Sequence, residues 1–193
     1  RRAVSRSTQR DPGIPHQTAN GAKTGVNDSY ATLDLGPLGF ETLFSDPFMF
    51  RDPGSTGTVS IDGFSVVEAS TPDELQEFEA AAAIGFESPT TTQAYIDALL
   101  DHAGYHFYLG RSRGEIVTGV ASFNNGTSLG IYSLFTFPEA RRRGYGEAVV
   151  RAAMSGVTDL PVVTEASNMS FNLFGRLGLQ TVGKRTIWIH PGN

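Results

Sequence analysis

One stretch restricts the folds open to this chain more than any other. Residues 131–148, IYSLFTFPEARRRGYGEA, carry an apolar strand pattern into three arginines and a Gly-Tyr-Gly turn, and a helical pattern (Ala148, Val149, Val150, Ala152, Ala153) begins at once. A helix start has N–H groups without intrahelical partners and the positive end of the helix dipole, so it attracts phosphate. Glycine admits positive φ and lets a bulky anion approach the main chain, while guanidinium groups present planar donor forks to oxyanions. Strand, basic Gly-rich turn and helix together therefore read as an anion site.

The rest of the composition makes that cluster a local feature. With 193 residues there is room for one domain of ordinary size and an extension, and the formal net charge of -5 argues against a general nucleic-acid binder, whose affinity comes from many phosphate contacts. There is no cysteine, which excludes disulfides, thiolate metal sites and a cysteine nucleophile, and which fits a reducing cytoplasm. No metal site is expected. No apolar run of about 18 residues is present to cross a membrane. The expectation is a soluble cytoplasmic protein, monomer or homodimer, with no nucleic-acid or membrane partner.

Residues 1–29 are nearly devoid of apolar side chains and read as a flexible N-terminal arm. Residues 30–60 read as an N-terminal extension and linker, with short extended segments broken at Gly36-Pro37 and Asp46-Pro47. The domain proper, 61–193, starts with a strand over Phe64, Val66 and Val67. Thr71-Pro72-Asp73-Glu74 is a capping box with proline at the first helical position, and the helix it opens places Leu75, Phe78 and Ala82 on one face. A second helix is expected over residues 92–102. Three antiparallel strands follow (105–109, 116–123, 129–137), separated by the turn stretches Arg111-Ser112-Arg113-Gly114 and Asn124-Asn125-Gly126. After the anion-binding helix come a strand at 161–167, a helix at 169–177 and a last strand at 184–190.

The order Arg-x-x-Gly-x-Gly after a strand resembles the acyl-CoA signature of the GNAT superfamily of N-acetyltransferases. PVVTEAS followed by FNLFGRLGL is similar to the family's penultimate strand and its Tyr-x-x-x-Gly-Phe helix ending. The succession β-α-α-β-β-β-α-β-α-β over about 61–190 matches the family's. The resemblance implies an α/β (α+β) fold with a mixed, mostly antiparallel sheet flanked by helices and splayed between the fourth and fifth strands. It further implies acetyl-CoA as co-substrate and transfer of an acetyl group to a primary amine, on a small molecule or peptide, by direct attack in a ternary complex.

Carried onto this sequence, the family's pattern assigns the pantetheine arm to the main chain of Leu134, Phe135 and Thr136, with an N–H near Leu134 as oxyanion donor. The pyrophosphate falls to Arg141, Arg142, Arg143, Gly144, Tyr145, Gly146 and Glu147. Arg141 either contacts phosphate or braces the helix. Asn168 and Phe174 complete the expected CoA contacts. Glu165, a carboxylate in a small apolar strand, is the candidate general base, in competition with a plain ion pair or a solvent-facing role; Tyr132, Ser133, Glu87 and His106 are weaker candidates. Phe174 stands where the family commonly has a tyrosine that protonates the thiolate, and phenylalanine has no proton to give. Ser167, Asn168, Ser170 and water are the candidate substitutes, with Ser167 carried as the catalytic candidate. Phe86, Glu87 and Tyr95 are expected to line the acceptor side. The loss of that tyrosine also supports a second reading, a CoA-binding sensor without turnover.

Overall fold

The structure is a computed structural model and describes residues 24–87, 95 and 97–192. Its centre is an eight-stranded sheet. In chain order the strands are β1 (Thr24–Asp28), β2 (Glu41–Arg51), β3 (Phe64–Glu68), β4 (Tyr105–Ser112), β5 (Glu115–Asn124), β6 (Leu129–Thr136), β7 (Val162–Glu165) and β8 (Gln180–His190), and the helices are α1 (Pro72–Gly85), α2 (Tyr145–Ser155) and α3 (Phe171–Arg176). Across the sheet the order is β1-β8-β2-β7-β6-β5-β4-β3. Every neighbouring pair is antiparallel except β6 and β7.

Local chemistry explains most boundaries. At α1 the Thr71 hydroxyl accepts the Glu74 N–H and the Glu74 carboxylate accepts the Thr71 N–H, closing the expected capping box. The β4–β5 hairpin turns on Arg113 (φ 52°) and Gly114 (φ 91°), two consecutive left-handed residues as a tight hairpin requires. The sheet separates two packed layers. On one face α2 and α3 bury Val149, Val150, Met154 and Phe174 against Leu129, Ile131 and Val162; on the other, α1 buries Leu75 and Phe78 against Phe107, Leu109 and Phe135.

Three segments differ from the sequence expectations. Residues 24–28, read as the end of a flexible arm, form edge strand β1 on β8, and the Asp28 carboxylate accepts the Leu33 N–H at 2.8 Å to close the turn that follows. Residues 41–51, read within an extension, form an interior strand hydrogen-bonded to β7 on one side and β8 on the other. Pro47, which cannot donate, sits where the β2–β7 ladder ends: the last registered pair is Phe48 with Glu165, and the Pro47 carbonyl accepts the Ala166 N–H. Of the expected helix over 92–102, residues 92–94 and 96 lie outside the described residues, and the described part holds only a single 3-10 turn, Asp97–Leu99.

Candidate active site

The parallel β6–β7 ladder runs only from Leu129–Val162 to Ile131–Thr164. Beyond it β6 carries a bulge. Gly119 opposes Phe135 and Ala121 opposes Tyr132, so Val120 faces both Ser133 and Leu134, and Ser133 takes a left-handed φ of 49°. Past the bulge, Leu134, Phe135 and Thr136 form one wall of a cavity of about 880 Å³, within the range of small-molecule sites. The turn Arg141, Arg142, Gly144 and the first turn of α2 (Tyr145, Gly146, Glu147) form the second wall, and Ser167, Met169, Ser170, Asn172, Leu173 and Arg176 the third.

The turn has the form expected of an anion cradle. Arg142 (φ 62°) and Gly144 (φ 85°) are both left-handed, and α2 opens on Gly144 without a side-chain cap, so its leading amides are not taken up by a capping side chain. At Gly146 a Cβ would come within 3.1 Å of Thr136 Oγ1 and 3.3 Å of Leu173 Cδ1, which explains glycine at the floor. Glu147 is the one acid in that first turn, yet its charge is met: Arg151 donates from Nε at 3.0 Å and Nη2 at 2.8 Å, and Arg176 Nε lies at 3.4 Å. These bonds, Arg151's first, hold the Glu147 carboxyl below the usual carboxylate range.

The other expected residues divide. Arg141 lines the cavity, but its guanidinium is committed to bracing it: Nε donates to the Thr136 carbonyl at 3.1 Å, and Nη2 to the Gly85 carbonyl at 3.2 Å and the Glu87 carboxylate at 3.1 Å. Tyr145 contributes main chain, its ring being buried in a stack on Phe64 with the hydroxyl 3.0 Å from Ser112 Oγ. Arg143 and Asn168 are exposed outside the cavity walls, and Phe174 is buried in the core at 2% exposure rather than on the cavity. Ser167 does line the cavity, its hydroxyl 3.2 Å from that of Ser170. Glu165 does not. Val162 and Thr164 face α2, so alternation sends Glu165 to the opposite sheet face, where it pairs with Arg185. Burial pushes its carboxyl up, against the pull of Arg185 and with the help of Asp46.

On the acceptor side, Phe86 lies on the cavity with its ring 6.1 Å from that of Phe135, Glu87 is held by Arg141, and the Tyr95 hydroxyl is 2.6 Å from Ser133 Oγ. His106 binds Glu68 through Nδ1 at 2.6 Å, far along the sheet on β4. The cavity-lining residues that sequence reasoning missed include Asn172, Leu173 and Arg176, whose three- and four-residue spacing on α3 was the available signal, and Met169 just before that helix. Among the described residues there is no group of three or more His, Cys, Asp or Glu that could hold a metal, and no helix long and apolar enough to cross a membrane.

The cavity sits where the parallel β6–β7 ladder stops beside a strand–turn–helix junction, a setting that comparison with known proteins places in context. Residues 72–160 match the Acetyltransferase (GNAT) family. The fold is similar to that of a GCN5-related N-acetyltransferase from Kribbella flavida (TM-score 0.62, 18% identity, over 82% of this chain and 63% of that one). A GCN5-related N-acetyltransferase from Sphaerobacter thermophilus aligns with TM-score 0.60 and 16% identity over 90% of this chain and 62% of that one. A GCN5-related N-acetyltransferase-like protein from Streptococcus suis 89/1591 gives 0.58 and 16% over 78% and 63%. The chain thus spans less than two thirds of the length of these structures. No curated protein matches the sequence.

Proposed function

We propose that this protein transfers an acetyl group from acetyl-CoA to a primary amine, with the 880 Å³ cavity as the CoA site. The observation that carries the reading is the junction of three features in one cavity: β6 main chain past the end of its ladder with β7, the uncapped start of α2, and the Arg142 and Arg176 side chains. In this reading β6 and β7 are the splayed pair. Main-chain groups of Leu134, Phe135 and Thr136 on the side that faces the cavity bind the pantetheine amides as an added strand would. The amides of Tyr145 to Glu147 and the guanidinium groups hold the pyrophosphate. Arg141 braces the turn.

When bound, acetyl-CoA supplies an electrophilic thioester carbonyl and a thiolate leaving group. The Leu134 N–H, aimed by the bulge, donates to the carbonyl oxygen as charge develops on it. In the transfer the acceptor nitrogen bonds the acyl carbon, the C–S bond breaks with its electron pair leaving on sulfur, and the nitrogen loses a proton. Glu165, off the cavity and paired with Arg185 on the sheet face opposite α2, takes that proton through a water chain rather than by direct contact. The Ser167 hydroxyl donates a hydrogen bond to the departing thiolate, which leaves as the anion and takes its proton from solvent. Phe86, Glu87 and Tyr95 form the acceptor wall.

Phe174 favours a second reading, a CoA-binding sensor, since no hydroxyl stands at that position. One experiment separates the two: purified protein with acetyl-CoA and a broad panel of amines, following free thiol. Thiol release dependent on an amine supports transfer. Silence across the panel, with CoA binding measured by calorimetry, refutes transfer and leaves the sensor.

A further inference from the structure

The bulge at Ser133 is not explained by its own residue. A serine at φ 49° adopts a conformation that L side chains avoid, because Cβ crowds the backbone, and it persists only where surrounding contacts enforce it. A half-buried contact meets it. The Tyr95 hydroxyl lies 2.6 Å from Ser133 Oγ, within hydrogen-bond distance, and burial pushes the Tyr95 phenol up, so it keeps its proton.

Tyr95 is itself fixed at both ends. Its main-chain N–H donates to Glu79 Oε1 on α1 at 2.6 Å, and its ring meets Phe107 edge-on at 5.0 Å and Phe78 at 6.0 Å. Phe78 in turn meets Phe135, two residues beyond Ser133, at 5.5 Å. Glu79, Tyr95 and Ser133 thus form a strut from α1 to the one place where β6 departs from regular pairing.

We propose that Tyr95 is a positioning residue: by holding Ser133 in the left-handed conformation it sets the direction in which the Leu134 N–H enters the cavity. The inference rests on the acetyl-transfer reading for its consequence, and on Tyr95 and Ser133 alone for its geometry. It gives Tyr95 a role different from that of a mere acceptor wall.

The test uses Tyr95→Phe, which keeps the ring and removes only the hydroxyl, and Ser133→Gly, which accepts positive φ without a tether. Tyr95→Phe is expected to lower kcat about fivefold or more, the loss of one hydrogen bond's worth of positioning, with CoA affinity within about twofold of the parent. In the Ser133→Gly background the same change is expected to alter kcat less than about twofold, because the coupled partner is gone. An equal kcat loss in both backgrounds, or a rise in the amine KM with kcat intact, overturns the proposal. Amide hydrogen exchange of the ligand-free protein gives an independent readout. Faster exchange at Leu134 in Tyr95→Phe supports the strut even if no amine is acetylated, the outcome in which the transfer reading fails alone; unchanged exchange refutes the strut.

Discussion

Truncating Met49 to alanine tests whether residues 41–51 belong to the working core, although they lie outside the segment 72–160 that matches the family. Met49 is 1% exposed and packs with Val162, Ile131 and Phe174 in the layer under α2 and α3. A buried methionine cut to alanine costs about 2–5 kcal/mol, and a site enclosed by strands on both sides collapses little, so about 3 kcal/mol is expected. For a chain of this size each kcal/mol moves Tm by about 2–4 °C, which gives a fall of about 6–12 °C by circular dichroism. The control is Leu43→Ala in the same strand, at a position 58% exposed, where the change is expected to stay within about 0.5 kcal/mol. A Met49→Ala shift no larger than the control's would refute the claim that β2 is an integral strand.

Gly144→Val forces a branched side chain to φ 85° with Ile61 Cδ1 3.3 Å from the new Cβ; strain of about 1–2 kcal/mol and a crowded cradle predict at least about tenfold weaker CoA binding by calorimetry, with the fold retained. Arg142→Ala is expected to cost about 1.5–3 kcal/mol of CoA binding as a lost charge-assisted bond, whereas Arg143→Ala, outside the cavity walls, should cost well under about 1 kcal/mol. Equal losses in one titration series would show that both arginines reach phosphate. Glu147 has a folded pKa below its ordinary value of 4.5, so its contribution to stability is full above pH 4.5 and is lost as pH falls through the folded value. Denaturant midpoints measured from pH 7 down to pH 3 should fall less steeply for Glu147→Gln than for the parent; parallel curves would contradict the assignment.

The parts of the fold that were legible from the sequence are those decided by local chemistry. Thr71 and Glu74 specify the α1 start by direct hydrogen bonds, and the arginine–glycine turn specifies the α2 start through left-handed φ at Gly144. What stayed hidden depends on distant partners. Asp46-Pro47 looks like a strand breaker, and only the end of the β7 ladder makes it tolerable inside the sheet. Ser133 has no residue signature for positive φ, since the hydroxyl that accompanies it comes from Tyr95 in another part of the chain. Glu165 alternates to the face opposite the one α2 covers, and its partner Arg185 lies on β8, which meets β7 only through β2.

That placement of β2 also bears on how the molecule assembles. Its two neighbours are more than a hundred residues away in sequence, so the pairing that completes the wall behind β7 is among the most non-local contacts in the chain. At ribosomal rates of about 5–20 residues per second, the segment bearing Met49, 1% exposed in the finished fold, waits on the order of ten seconds for its partners to be synthesised. Throughout that interval a ribbon fit for pairing stands unmatched, its backbone and the Met49 side chain open to misassociation.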